Sequence, residues 1–124
     1  MPSRADELQE RAQRFAVRVV RFCRRLPSGP ATDGIIRQLV RSATSESANY
    51  SASRRARSRA EFVAKLGLVA EEADESEHWL EIVRDAGFVT EELATELTSL
   101  INESRELRAI FVQSVGTARK NYRG

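Results

Sequence analysis

Arginine is the residue type with the clearest chemistry in this sequence, where it outnumbers lysine 18 to 2. Near the N-terminus five arginines recur at intervals of three or four residues: Arg11, Arg14, Arg18, Arg21 and Arg25. This spacing predicts a continuous basic stripe on one face of a helix. A planar guanidinium suits bidentate phosphate contacts, and each neutralised phosphate adds salt-dependent affinity. The stripe therefore predicts binding of a phosphate backbone, RNA or single-stranded DNA, without sequence reading.

Further arginines extend this candidate nucleic-acid-binding set beyond the first helix: Arg37, Arg41, Arg55, Arg57 and Arg59. Two other interpretations of the arginines stay open. They could form a solvated face, or they could dock on acidic residues of a neighbouring subunit. The second is favoured by charge segregation, because residues 1–60 carry a net charge of +8 and residues 61–118 carry −9. In that case the protein would be a scaffold or adaptor without nucleic-acid binding.

Glutamate and histidine offer a second kind of chemistry. Glu75 and His78 have the Glu-x-x-His spacing of iron-binding helical bundles, but such sites need two of these motifs and His78 is the only histidine. Glu72 and Glu75 could act as paired acid–base carboxylates, yet no nucleophile motif, phosphate-binding glycine loop or metal cluster accompanies them. We therefore expect a protein that is not an enzyme and that holds no metal or cofactor.

Cys23 is the single cysteine, so an intramolecular disulfide is excluded. It lies on the apolar face of the first predicted helix, where no cationic residue is placed to lower its pKa. We expect a packed, unreactive thiol.

Four helical patterns position these residues. Apolar side chains recur with helical spacing in four segments, which predicts helices over 4–26, 33–57, 59–86 and 90–116 and a frayed basic tail over 117–124. Pro27, Gly29 and Pro30 end the first helix, Ser58 begins the third with a capping-box pattern, and Gly87 ends it. Short connections between long helices predict an all-α, antiparallel up-down-up-down four-helix bundle in a single domain of residues 1–124.

The second helix changes character along its length, from apolar to polar. Asn49, Tyr50 and Arg54 lie beyond the point where its apolar stripe ends. A buried polar group without a partner costs about 1–3 kcal/mol. We therefore expect a polar seam in which these residues bind Glu72 and Glu75 of the third helix, within or between chains.

The third helix carries more apolar surface than one bundle core requires. Leu68, Trp79 and Ile82 form a second strip, roughly 100° or more from the main stripe at ~100° per residue. Extra apolar surface on a small domain usually contacts a partner, so this strip predicts homo-oligomerisation. A partly covered tryptophan of a monomer is the alternative.

Composition sets the general class of the protein. At 124 residues, with 41% hydrophobic and 31% charged residues, the chain is long enough for one globular domain. No signal peptide or apolar run of about 20 residues is present, so we expect a cytoplasmic protein.

Several motifs together resemble a known bacterial family. They are Ser42, Ala48-Asn49-Tyr50, Ala56 with Ser58, Phe62-Val63-Ala64-Lys65-Leu66, Glu72-Ala73-Asp74-Glu75 and Trp79-Leu80. Over residues 13–121 the sequence is similar to four-helix-bundle proteins encoded by intervening sequences within 23S ribosomal RNA genes. Three residues depart from the family pattern: Ala43, Glu46 and Ser47 stand where glycine, an aliphatic residue and glycine are expected.

The resemblance carries its own implications for assembly and partners. It implies a cytoplasmic bundle that assembles into a ring, typically a pentamer. More distant relatives are accessory proteins of diversity-generating retroelements, in which a basic ring surface contacts nucleic acid and a reverse transcriptase. The resemblance therefore implies a homopentamer, with RNA or DNA and a reverse transcriptase or other protein as possible partners.

Overall fold

The computed structural model describes residues 1–121, which form four α-helices. In chain order these are α1 (Arg4–Cys23), α2 (Pro30–Ser53), α3 (Arg59–Asp85) and α4 (Glu91–Asn121). Residues 1–121 contain no strand. The class is all-α, and the element contacts fit a four-helix bundle: each helix contacts the next along the chain, and α1 also contacts α4.

Local capping interactions explain where the helices begin. The Ser3 hydroxyl accepts a hydrogen bond from the Asp6 amide at 3.0 Å while the Asp6 carboxylate accepts one from the Ser3 amide, which is a complete capping box. Pro30 occupies the first turn of α2, where its missing N–H costs no hydrogen bond. The Ser58 hydroxyl accepts from the Glu61 amide at 3.1 Å and begins α3.

The predicted helix ends need correction at three places. α1 ends at Cys23 and α2 at Ser53, each three or four residues earlier than predicted, because the chain then tightens into turns with hydrogen bonds three residues apart. α2 also begins three residues earlier than predicted, at Pro30. The third helix agrees with the prediction within one residue, and Gly87 follows it with a positive φ of 74°.

The predicted frayed tail is wrong for residues 117–121. α4 continues to Asn121, because Val115 and Ala118 extend its buried stripe beyond Gly116. Residues 122–124, also part of the predicted tail, lie outside the described residues.

The hydrophobic core takes side chains from all four helices. The largest fully buried apolar residues include Phe15, Leu39, Leu80, Leu100 and Phe111. Cys23 packs at the edge of this core, and burial raises the pKa of its thiol to about 11. None of the described helices has the length and apolar character needed to cross a membrane.

Candidate nucleic-acid interface

The predicted basic stripe of α1 faces acidic residues of α4 in the same chain. Three of its arginines, seven residues apart, form ion pairs across this interface: Arg11 with Glu103 at 2.7 Å, Arg18 with Glu96 at 2.6 Å, and Arg25 with Glu92 at 2.9 Å. The guanidinium of Arg11 binds Glu103 through two nitrogens. The fourth arginine, Arg14, pairs with Glu10 of its own helix at 3.1 Å.

The α1 stripe is therefore not a free basic face. The sequence suggested docking between the basic and acidic halves of neighbouring subunits, and the structure places such contacts within one chain. Spacing along α1 could not show this, because the carboxylates that bind Arg11 and Arg18 lie about 80 to 90 residues further along the chain.

The predicted polar seam is also wrong within the chain, because Arg41 takes its place. Glu72 accepts a hydrogen bond from Arg41 Nη1 at 2.8 Å, and Glu75 binds Nη2 of the same guanidinium. This contact lowers the pKa of Glu75. Arg41 was predicted to bind nucleic acid, but the structure commits it to two carboxylates of α3.

The other predicted seam residues find different partners. The Asn49 amide donates to the Ser45 carbonyl at 3.0 Å, and the Tyr50 ring lies 5.4 Å from that of Phe111. The guanidinium of Arg54 contacts two residues at the start of α1: Asp6 at 2.8 Å and Gln9 at 2.7 Å. Arg54 does not reach Glu72 and Glu75 because it is the C-cap residue of α2, and the start of α1 lies beside that end of the helix.

A different set of cations gathers at the end of the bundle that holds the first turn of α1, the α2–α3 connection and the last turns of α4. A cavity opens at this end, and two of the cations, Arg4 and Arg59, line it. We call this region the basic end; its members are Arg4, Arg54, Arg55, Arg57, Arg59, Arg119 and Lys120. Within residues 1–121, the ion pairs here are Arg54 with Asp6 and a long 3.7 Å contact of Arg57 with Glu61. The side chain of Arg57 is 91% exposed. The remaining cations of this region form no ion pair within the described residues.

The sequence identified only part of the basic end. Arg55, Arg57 and Arg59 were predicted, whereas Arg4, Arg119 and Lys120 were missed. The signal for Arg119 was present, because Val115 and Ala118 continue the apolar spacing of α4 and so fix the helix that carries it. Arg119 reaches α3, where its guanidinium lies beside Gly67. The remaining predicted residues, Arg21 and Arg37, lie near the end of α1 and the start of α2, away from this region.

The cavity at the basic end has a volume of about 460 Å³. Buried apolar side chains form its floor, namely Tyr50, Leu66 and Ala118, and the half-buried Phe62 lies beside them. Arg4 and Arg59 also line it, and the Arg59 guanidinium lies over the Phe62 ring at 5.8 Å. The lining also includes the polar residues Gln113, Ser114, Thr117 and Asn121, so the cavity combines apolar, polar and cationic groups.

A buried carboxyl lies in the core, where the sequence had shown only a departure from the family pattern. Glu46 is 1% exposed, and neither of its carboxyl oxygens has a hydrogen-bond partner among the described residues. The nearby Ser76 hydroxyl donates instead to Ser42 at 3.0 Å. Burial raises the pKa of Glu46 to about 8, and the neighbouring charges of Glu72 and Glu103 add to the shift. An aliphatic residue could be buried at this position without cost, whereas the carboxyl of Glu46 must hold a proton to be neutral there.

The second apolar strip of α3 remains partly uncovered. Leu68 is 43% exposed, and Trp79 and Ile82 are half-buried. The Trp79 indole donates to Glu75 at 3.3 Å, and His78 lies against its ring edge with the centroids 5.1 Å apart. In the described part of the chain no group of three or more His, Cys, Asp or Glu residues is placed to hold a metal ion.

Comparison with known proteins identifies the family. The chain is similar to a crystallised protein of unknown function from Bacteroides thetaiotaomicron, assigned to the S23 ribosomal protein family. Sequence identity is 29%, the match covers 92% of this chain and 99% of that one, and the TM-score is 0.79. No curated protein matches. Residues 5–109 match the model of the 23S rRNA-intervening sequence protein family, and the chain therefore belongs to that family.

Proposed function

We propose that this protein is a non-catalytic, cytoplasmic homo-oligomer of antiparallel four-helix bundles that binds RNA or single-stranded DNA through its basic end. The observation that carries the proposal is the concentration of Arg and Lys at one end of the bundle, whereas three of the five arginines of the α1 stripe are paired with glutamates of α4. The antiparallel arrangement is supported by the ion pairs of α1, whose partners on α4 follow in reverse order.

The composition of the basic end suits a phosphate backbone. Arginines predominate over lysine there, and arginine binds phosphate bidentately. Several of these side chains lie at helix ends and in the α2–α3 connection, and Arg57 is 91% exposed there despite its long contact with Glu61. Such contacts fix no base sequence. The binding we propose is therefore backbone binding with little sequence preference.

Oligomerisation would multiply this surface. We propose that the strip of Leu68, Trp79 and Ile82 contacts a second copy, and that five copies form a ring, as the family resemblance implies. Cyclic symmetry places the same end of every subunit at the same height along the axis. The basic ends would then form one continuous ring-shaped surface, and several contacts to one strand would add by avidity.

A salt titration tests the nucleic-acid part of the proposal. Fluorescence anisotropy with a labelled single-stranded RNA should show affinity falling with log salt, at a slope of about −0.7 for each phosphate contacted. The double variant Arg55→Gln/Arg57→Gln should flatten that slope by about 1.4 for each subunit that contacts the strand. The control Arg21→Gln/Arg37→Gln removes the same charge away from the basic end and should leave the slope nearly unchanged. Equal slopes in both variants would contradict the location.

A scaffold or adaptor without nucleic-acid binding is the second candidate. The internal pairing of the α1 arginines favours it, because those charges already serve the fold. Its partner would be another protein, such as a reverse transcriptase, docked on an exposed face. Under this function RNA affinity near physiological ionic strength is negligible for the wild type as well as for both variants.

A further inference from the structure

The cavity at the basic end has a composition that backbone binding alone does not require. A phosphate needs only cations and polar donors, and Gln113, Ser114, Thr117 and Asn121 supply such donors here. The lining also has an apolar part that a phosphate does not need: Tyr50 is 7% exposed, Leu66 3% and Ala118 6%. The half-buried ring of Phe62 lies in the same lining. A ligand that fills this space therefore carries a flat or apolar part as well as negative charge.

We propose that this cavity binds a single unpaired nucleotide of the nucleic-acid strand, with the base against Phe62 and the apolar floor and a phosphate at Arg4 and Arg59. The proposal rests on the proposed function and adds the form of nucleic acid that is recognised. The volume of about 460 Å³ falls within the range of about 300–1,000 Å³ usual for small-molecule sites.

The position of Arg59 supports stacking as the mode of contact. Its guanidinium lies over one face of the Phe62 ring at 5.8 Å, so a base stacks either on the outer face of the guanidinium or on the ring after Arg59 turns aside. Both a phenyl ring and a guanidinium plane stack on bases in single-stranded complexes. Because every base has a π-face, such contacts tolerate any sequence. The cavity thus agrees with binding that does not read sequence.

The same geometry favours single-stranded nucleic acid over a duplex. A base inside a duplex is paired and stacked, so its face cannot enter a cavity between helices, whereas an unpaired base can turn outward. The site therefore favours single-stranded RNA, loops or ends over a duplex of equal length and charge. Purely electrostatic binding would show no such preference, so the preference distinguishes a nucleotide site from simple attraction between charges.

The variant Phe62→Leu tests the site, because it keeps apolar bulk and removes the aromatic face. We expect its affinity for a single-stranded RNA to fall about 5- to 150-fold, the range for loss of one base–aromatic stack. Its salt slope should remain that of the wild type, since no charge is changed. Phe88→Leu is the matched control, because Phe88 is a half-buried phenylalanine in the α3–α4 connection; it should bind like the wild type. Binding of duplex RNA should be the same for all three proteins.

The outcomes separate the two levels of the proposal. Salt-dependent RNA binding with Phe62→Leu equal to the wild type overturns the nucleotide site and leaves the proposed function intact. A wild type that binds no RNA overturns both.

Photo-crosslinking of wild-type protein to RNA containing 4-thiouridine gives a second readout, should Phe62→Leu not fold. Adducts in the peptides that line the cavity, which are residues 59–66, residues 110–121 and the peptides that contain Arg4 or Tyr50, would support the site. Adducts confined to other peptides would overturn it.

Discussion

Glu46 shows how one side chain can set the pH response of the whole domain. Its carboxyl is buried without a hydrogen-bond partner in residues 1–121, and its pKa is raised from 4.5 to about 8. The folded state therefore holds the proton over a wider pH range than the unfolded state. The resulting stability is fully present below about pH 4.5 and is lost progressively as pH rises through about 8.

Replacing Glu46 by glutamine should remove this pH response. The variant cannot ionise at that position, so its free energy of unfolding should exceed that of the wild type by an amount that grows between pH 5 and pH 8. The growth should be about 1.4 kcal/mol per pH unit. Urea unfolding at several pH values measures the free energy of unfolding of both proteins. The surface ion pairs titrate in the same way in both, so their contribution cancels when one free energy is subtracted from the other. A difference that does not change with pH would show that Glu46 is ionised in the folded protein.

Arg11 and Glu103 should contribute more to stability than an ordinary surface pair. Their side chains are 31% and 19% exposed and share two hydrogen bonds, whereas those of Arg14 and Glu10 are 64% and 72% exposed and share one. Double-mutant cycles with glutamine should give a coupling energy of about 1 kcal/mol or more for the first pair and about 0.3–0.5 kcal/mol for the second. Equal couplings would mean that solvent screens both pairs alike.

At the scale of the helices, the sequence predicted capping residues better than it predicted which residues of neighbouring helices are in contact. Ser58 and Gly87 were read correctly because capping depends on a few neighbouring residues. The partner of Glu72 and Glu75 was missed because it depends on how far α2 is shifted along α3, and a shift of about three and a half turns substitutes Arg41 for Arg54. The ion pairs between α1 and α4 were not predicted, for the same reason. No local pattern specifies such registers.

Two glycines test where α3 and α4 end. Gly116 lies inside α4 with open space where a side chain would be, so Gly116→Ala should stabilise the protein by about 0.5–1 kcal/mol. Gly87 has a positive φ of 74°, so the matched change Gly87→Ala should destabilise it by about 1 kcal/mol. Urea unfolding measures both. A destabilising Gly116→Ala would indicate that the helix ends there, as the sequence had suggested.

For the whole molecule, the assembly we propose should be visible in solution. Light scattering should give a multiple of the 13.9 kDa chain mass, about 70 kDa for a cyclic ring of five. Leu68→Glu places a charge in the proposed contact strip and should shift the mass downward. Val112→Glu is the control, because Val112 is 52% exposed on α4 and lies outside that strip. A wild-type mass of one chain at micromolar concentration would contradict the oligomer.

The ion pairs between α1 and α4 have a consequence for the protein while it is being made. Chains emerge from the ribosome N-terminus first, so Arg11, Arg18 and Arg25 appear well before the glutamates of α4 that neutralise them. The first 60 residues carry a net charge of +8, and the acidic residues of α3 lower the net charge of residues 1–90 to +2 before α4 emerges. The finished chain carries only +2. We therefore expect any electrostatic attraction of the nascent chain to RNA to be strongest before α3 is made, and the arginines of α1 to lose their remaining exposure to it when α4 docks.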